Sequence, residues 1–497
     1  MKIKRNFIWK ITLSVFFVAL IVSCSDDFFD TNTGGRITPD QHYNSFLDAE
    51  ASYQGCFVFL QDIAEKLVLV QGLLSDEMTV TENADVDLID INLHEYSAAN
   101  PYVDPADYYK LIININEVLP NLEQITLKDR DFDSAFLFQF QGALITMRSW
   151  AYFMLAKING EVGLISADVS NLDPSNTPTY LSKDQIIDEL INKLYPYYDE
   201  DDIFRYPIDH YVLLGELYLE KGNYENAVKF LKFACDGKAM VRREYMLGND
   251  FADEDWESIF INSVSRSTVA TAVPYSLRDG QENMLESWMS TTYDYLVKPS
   301  DILMNSYMMQ TQVNGDPGDG YRGIGISLDT TKAGIPYISK YSLDRPPSIP
   351  HSADVILYRA ADIHLLLAEA LNRNGQQDIA LALLNDGISN MSPRPPGYTK
   401  WSSNIGVRGR AYMKNRVVPG GVEDRTEYIE DLIMEERAME LAFEGKRWFD
   451  LVRIAERRND PAYLADKIAA KFDDPAVAEQ MRIKLMDPAN WYMPIPR

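Results

Sequence analysis

Acid–base chemistry at neutral pH most often needs histidine, and this chain has five, at His42, His94, His210, His351 and His364, with cysteines at Cys24, Cys56 and Cys235. The histidines are scattered. No His-Glu-x-x-His pair puts two imidazoles on one helical face, and no Cys/His spacing would close a tetrahedral zinc site. Cys56 and Cys235 have no histidine close in sequence to serve as a base, and no Gly-x-Ser-x-Gly presents a serine nucleophile. A phosphate-cradling Gly-x-x-x-x-Gly-Lys-Ser/Thr is absent, and Gly323-x-Gly325 lacks the third glycine of a dinucleotide loop. Asp316, Asp319 and the run Asp253–Asp255 offer oxygen atoms that calcium would accept, but without the alternating ladder of an EF-hand; solvated acidic loops are the plainer reading. Paired carboxylates for glycoside hydrolysis meet only in space, so 74 acids assign no pair. No cofactor is expected.

What remains is a binding surface, and aromatic side chains build such surfaces. A sugar ring has an apolar C–H face that stacks on Trp or Tyr, while its hydroxyls seek Asp, Asn, Gln or Arg; a peptide would use the same platform plus backbone hydrogen bonds. Trp150, Trp448 and Trp491 lie in helical or terminal motifs, whereas Trp256, Trp288 and Trp401 lie in loop-like sequence. For any one aromatic, core packing is at least as good an explanation as display.

The elements that position these residues are helical. Hydrophobics at 46% and charged residues at 24% describe an ordinary folded chain, and the net charge of −27 speaks against nucleic acid as a partner. Residues 211–234 run Tyr211-x-x-Leu214-Gly215-x-x-Tyr218, then Gly222, Ala227, Leu231 and Ala234. Residues 364–387 repeat the offsets as Leu367-Ala368-x-x-Leu371, Gly375, Ala380, Leu384 and Gly387. These are tetratricopeptide spacings: a small residue where two helices cross, a turn glycine, then small and apolar residues on the second helix. The units are too far apart to be tandem neighbours in sequence. Between them, 237–350 is rich in Gly, Pro, Ser and Tyr and predicts irregular loops and short strands. Two further helices are expected, over Ser134–Lys157 and Tyr428–Arg458, the second broken near Gly445.

Residues 1–23 read as an address: Lys2, Lys4, Arg5 and Lys10 precede the apolar run Ile11 to Val22. The run ends at Leu20-Ile21-Val22-Ser23-Cys24, which resembles a bacterial lipobox and implies acylation of Cys24 after cleavage.

The chain as a whole resembles the SusD/RagB family of outer-membrane nutrient-binding lipoproteins. The most specific stretch is Glu436-Arg437-Ala438-Met439-Glu440-Leu441-Ala442-Phe443-Glu444-Gly445, followed by Arg447-Trp448-Phe449-Asp450-Leu451-Val452-Arg453. Tyr358-Arg359-Ala360-Ala361-Asp362, Lys298-Pro299-Ser300 and the closing Met493-Pro494-Ile495-Pro496 are similar too. Where the family tends to carry a basic pair after Leu384-Asn385, this chain has Ser389-Asn390-Met391, and the family normally continues past the Pro-Ile-Pro stretch. Glu444, Arg447, Asp450 and Arg453 could be mistaken for a catalytic cluster; ion pairs around a buried Trp448 are the expectation.

The resemblance implies a mostly α SusD-like fold built on tetratricopeptide-type helix pairs with a large loop-rich insertion: a signal peptide at 1–23, then one domain over 24–497 made of parts 24–236, 237–350 and 351–497. It implies ligand contacts from loops 76–103 and 253–295. Tyr96, Trp288 and Tyr293 are the expected stacking platforms, with Asp76 and Asn100 as hydroxyl partners; Tyr102, Trp256, Tyr275 and Tyr295 are further candidates. The implied protein is no enzyme. It is anchored to the outer membrane through its N-terminal lipid, takes up oligosaccharide or polysaccharide, and delivers it to a SusC-like TonB-dependent transporter. A peptide ligand, as in the RagB branch, is the alternative, and a surface hydrolase the outsider.

Overall fold

In a computed structural model, the structure describes residues 42–165, 178–197, 208–236, 269–273, 284–342 and 353–495. The lipobox, Cys24, Asp253–Asp255, Trp256 and Tyr275 lie outside them. Among the described residues no helix is long and apolar enough to cross a membrane.

Helices dominate, and their starts are written in side chains. Ser45 and Asp48 form a reciprocal capping box that opens α1 (Phe46–Leu74). After α2 (Ala106–Lys128), Asp133 accepts from the Ala135 and Phe136 amides to open α3 (Ser134–Asn159), two residues longer than the sequence suggests and stopped by left-handed Gly160. A Ser182/Gln185 capping box opens α4 (Lys183–Leu194), and Asp209 caps α5 (His210–Glu220), which turns through Gly222 into α6 (Tyr224–Asp236). Each of α1 to α6 packs on the next.

The second unit is α7 (Ala360–Arg373) and α8 (Gln377–Leu384), turned by Gly375. Both hairpins follow the predicted offsets. A Cβ on Gly215 would lie 2.5 Å from Leu231 Cγ, so only glycine lets α5 and α6 cross this closely. Tyr218 stacks flat on Phe230. The units that sequence separates are nevertheless neighbours in space, because α7 packs directly on α6. The chain between them leaves the stack and returns to it.

The C-terminal stretch expected as one broken helix is α9 (Arg425–Glu440) and α10 (Arg447–Arg458), followed by α11 (Pro461–Ala469) and α12 (Pro475–Leu485). Phe443 and Gly445 adopt left-handed backbone in the break, and a Cβ on Gly445 would sit 3.1 Å from the Leu67 carbonyl oxygen.

Strands are short and paired two by two: β1 (Met78–Val80) with β5 (Val297–Pro299), β2 (Glu161–Leu164) with β3 (Thr179–Ser182), β4 (Val269–Val273) with β8 (Val355–Arg359), and β6 (Leu328–Thr330) with β7 (Pro336–Ile338), all antiparallel. The described parts of the insertion are thus short strands, loops and the helices Leu285–Met289 and Asp301–Met308.

Buried ion pairs lock the insertion to α9. Arg322 reaches Glu436 at 2.6 Å and Glu440 at 2.7 Å. Arg359 and Arg410 also meet Glu440, Arg408 meets Glu436, and Lys340 and Arg359 share Glu444. The glutamates fall four residues apart and project from one side of the segment. On α10, Asp450 accepts from Arg437 and Arg453, while Trp448 is buried beside His94. Glu444, Arg447, Asp450 and Arg453 are therefore structural, as expected. Such pairs repay the desolvation of their charges only when nearly every lone pair is met, which is the arrangement here.

Candidate functional site

The pairing of β1 with β5 decides what the ligand loops do. Met78 lies opposite Pro299 and Val80 opposite Val297. The contact continues past the strands: the Thr81 amide donates to the Leu296 carbonyl at 2.9 Å, and Asn83 Nδ2 donates to the Asp294 carbonyl at 3.1 Å. The first expected loop, 76–103, and the described end of the second, 284–295, therefore meet at one edge.

Tyr293 stands at that edge 40% exposed. Glu82, Asn83 and Asp85 of the first loop and Asp294 of the second are exposed polar residues, with exposed Val86 following them. Trp288 is half-buried on the helix Leu285–Met289, and its carbonyl accepts from the Leu296 amide at 2.7 Å, which folds that helix back onto the strand. Ser287 Oγ donates to Asp294 at 2.9 Å and orients the carboxylate. Tyr102, half-buried, donates its hydroxyl to Asp85 at 3.1 Å; burial and the neighbouring Asp85 charge push its phenol up to about 12.

Three expected residues are placed otherwise. Asp76 is buried and held by Arg447 through two hydrogen bonds, Nε at 2.7 Å and Nη2 at 2.8 Å. Burial alone would raise its pKa, but the guanidinium overrides that and holds the carboxyl below the usual range. Its lone pairs are spent on Arg447 rather than offered to a hydroxyl. Asn100 is buried, donating to the Asp87 carbonyl at 2.8 Å and accepting from the Tyr102 amide at 3.0 Å, so it braces the loop from within. Tyr295 is buried, in left-handed backbone, with its hydroxyl given to the Pro336 carbonyl. It forms the wall behind Tyr293.

Tyr96 faces elsewhere. It lines a concavity of about 580 Å³ with Glu161, Lys484 and Tyr492, and Trp288 and Tyr293 are not among its walls. Trp401 is fully buried against His364 and Tyr398.

The rim residues Glu82, Asn83 and Asp85 were missed by sequence reasoning. Their signal was present in the polar run Glu82-Asn83-Ala84-Asp85, but such a run looks the same wherever a strand ends.

Among the described residues no catalytic constellation assembles at this edge. Cys235 does approach His364, with Sγ 3.9 Å from Nδ1, but both are buried and that nitrogen already serves the Ala360 carbonyl at 2.7 Å. Asp319 is not a calcium ligand in waiting: its carboxylate is buried against Arg322 and accepts from the Tyr321 and Arg322 amides. Among the described residues no three His, Cys, Asp or Glu side chains are grouped to hold a metal ion.

Comparison with known proteins agrees with the architecture. The family model described as the SusD family matches residues 251–497. SusD-like protein P38 of Formosa agariphila is 37% identical over 119 residues, which is 23% of this chain and 20% of that protein's length. A SusD superfamily protein from Bacteroides vulgatus superposes with a TM-score of 0.67 at 18% identity, covering 88% of this chain and 92% of the other. A laminarin-binding SusD-like protein superposes at 0.60 with 15% identity, covering 91% and 96%. At these identities the superpositions speak for the fold.

Proposed function

The chain belongs to the SusD family, and from that premise we propose that it is a carbohydrate-binding lipoprotein of the cell surface that hands its ligand to a SusC-like, TonB-dependent barrel in the outer membrane. The observation that carries the glycan reading is the edge made by β1 and β5. It brings exposed Tyr293 and Asp294 to the loop that carries Asn83 and Asp85, with half-buried Trp288 on the short helix that folds back onto β5. An aromatic face with a ring of amides and carboxylates matches a sugar's apolar face and hydroxyl edge. The relative that binds laminarin makes a neutral glucan a reasonable first probe.

The mechanism is capture. Stacking and hydrogen bonding hold the glycan, the acyl chains on Cys24 keep the protein at the membrane, and the local ligand concentration above the barrel rises without bond cleavage.

The test is affinity electrophoresis of the full chain in gels carrying laminarin, starch, xylan or mannan, with a reducing-end assay on the same mixtures. Retardation by at least one polymer with no new reducing ends is the expected result. Retardation by none, with short peptides found bound to the purified protein by mass spectrometry, would replace the glycan with a peptide ligand. Time-dependent reducing ends would make the protein an enzyme.

A further inference from the structure

We propose that Tyr321 and Tyr412 form a second carbohydrate-stacking site, separate from the Tyr293 edge; the proposal rests on the glycan reading above and extends it. The two rings come from loops about ninety residues apart in sequence, yet their centroids lie 5.8 Å apart with planes inclined at 53°. Both are displayed, at 44% and 42% exposure. Large aromatics are usually tucked away, so a displayed pair from distant loops asks for a reason.

The backbone that carries the rings is anchored. Tyr321 precedes Arg322, which is buried on Glu436 and Glu440, and its own amide donates to Asp319. Tyr412 follows Arg408 and Arg410, which are buried on the same two glutamates. One pair of carboxylates on α9 thus fixes both loops. A platform whose order is already paid for by the core loses little entropy when a ligand arrives.

Tyr412 also holds a left-handed backbone, φ +57°. A bulky L-residue is strained there, and glycine would suit it better. Flanking hydrogen bonds impose it: the Tyr412 amide donates to the Gly409 carbonyl, and its carbonyl accepts from the Val313 amide at 3.0 Å. The side chain is therefore displayed against a local preference.

Beside Tyr321 a depression of about 340 Å³ is lined by Met308, Gly318, Gly320 and Ile324. The glycines keep its wall low, the apolar side chains suit C–H faces, and exposed Asn314 and Asp316, hydrogen-bonded to each other at 2.8 Å, precede Pro317 of its lining in the same loop. The helix Asp301–Met308, about 12 Å long at 1.5 Å per residue, carries the chain from β5 to this site. A polymer long enough to touch both edges would gain affinity that a short oligosaccharide lacks.

The experiment compares the wild-type full chain, Y321A/Y412A, Y412G and W288A/Y293A in gels carrying laminarin, starch, xylan or mannan, with laminaribiose and maltose, too short to bridge the two sites, titrated in parallel by calorimetry. Y321A/Y412A is expected to bind the retained polymer about tenfold more weakly while keeping wild-type disaccharide affinity. Y412G should weaken the polymer in the same direction without lowering the melting temperature, since glycine relieves the backbone. That variant separates lost binding from lost folding. Wild-type retardation by the polymer in both second-site variants, with loss in W288A/Y293A, overturns the second site and leaves the first reading intact. Failure of every polymer to retard the wild type overturns both. Unchanged retardation together with loss of a copurifying outer-membrane barrel overturns the site in favour of a protein interface.

Discussion

Arg447 on α10 grips Asp76 at the foot of β1 with two parallel hydrogen bonds across 371 positions of sequence. This pair fastens the strand that begins the proposed ligand loop to the helix carrying the family signature. The next residue, Glu77, accepts from the Phe443 amide in the break between α9 and α10, and its carbonyl accepts from Ser300 after β5. The β1–β5 edge is thus tied to the core at its root, and Tyr293 stands exposed at its other end.

Cutting that tie should unfold more than it unbinds. Arg447→Ala leaves Asp76 charged and buried without a partner, which for a buried pair costs about 3–5 kcal/mol. Urea denaturation should register a loss of that order. Double substitution to Asp76→Asn with Arg447→Met should recover part of it, because the stranded charge is gone. Equal stability of the single and double variants would argue against the pair as a buried ionic contact.

The neighbouring acid gives a pH dependence of defined sign. Burial, with the Asp76 charge beside it, pushes the Glu77 carboxyl up to about 8. In the unfolded chain it ionises near about 4.3. The folded protein therefore retains a proton that the unfolded chain has lost throughout the interval between those values, so rising pH favours unfolding there. The group's stabilising contribution is complete below the lower value and lost as pH climbs through the upper one. Its share of the slope is up to about 1.4 kcal/mol per pH unit. Glu77→Gln should flatten the fall in unfolding free energy between about pH 5 and about pH 7.5 by an amount of that order. An identical slope in the variant would mean that Glu77 ionises alike in both states.

At the ligand edge, exposure predicts a division between binding and stability. Tyr293→Ala removes an exposed ring and should leave the melting temperature unchanged, whereas Trp288→Ala removes a half-buried one and should lower it. Aromatic pairs contribute about 0.5–1.5 kcal/mol beyond their burial, so each loss should weaken glycan binding by roughly two- to tenfold. Calorimetric titration with the polymer that retards the wild type reads both. Asn100→Ala, by contrast, should act through loop order, since the amide faces the Asp87 carbonyl and the Tyr102 amide.

That contrast explains what was and was not readable beforehand. The helix pairs were legible because their information is local: Gly215 and Leu231, or Ala368 and Ala380, sit at offsets that only a crossing needs. The ion-pair role of Glu444, Arg447, Asp450 and Arg453 was legible for a similar reason, since they sit beside the aromatic stripe that buries Trp448, whereas the partners of Glu436 and Glu440 were not. Asp76 and Asn100 were misread because a polar residue in a loop has the same letter whether it faces water or a guanidinium 371 positions away. The stacking of α7 on α6 was hidden by the excursion between them, and the Tyr321–Tyr412 pair by two loops that lie far apart in sequence and meet only in the fold. Residue type announces chemistry; which partner consumes it is a property of the fold.

The helix crossing supplies the last prediction. A Cβ on Gly215 would fall 2.5 Å from Leu231 Cγ and 2.7 Å from Cδ2, with the Leu231 amide nitrogen at 3.2 Å. The leucine tip has nowhere to retreat in a buried hairpin, and the nitrogen is backbone. Overpacking of this kind costs about 1–3 kcal/mol, set against a gain of roughly 1 kcal/mol from the better helix propensity of alanine. Gly215→Ala should therefore destabilise, by an amount at the lower end of the first range, and Gly215→Val by more. Adding Leu231→Ala to Gly215→Ala should cost less than the sum of the two single changes, because each relieves the clash or void that the other creates. Urea denaturation of the four chains measures the coupling directly. Strict additivity would mean that α5 and α6 do not meet at this pair, and that the tetratricopeptide spacing marks something other than a close crossing.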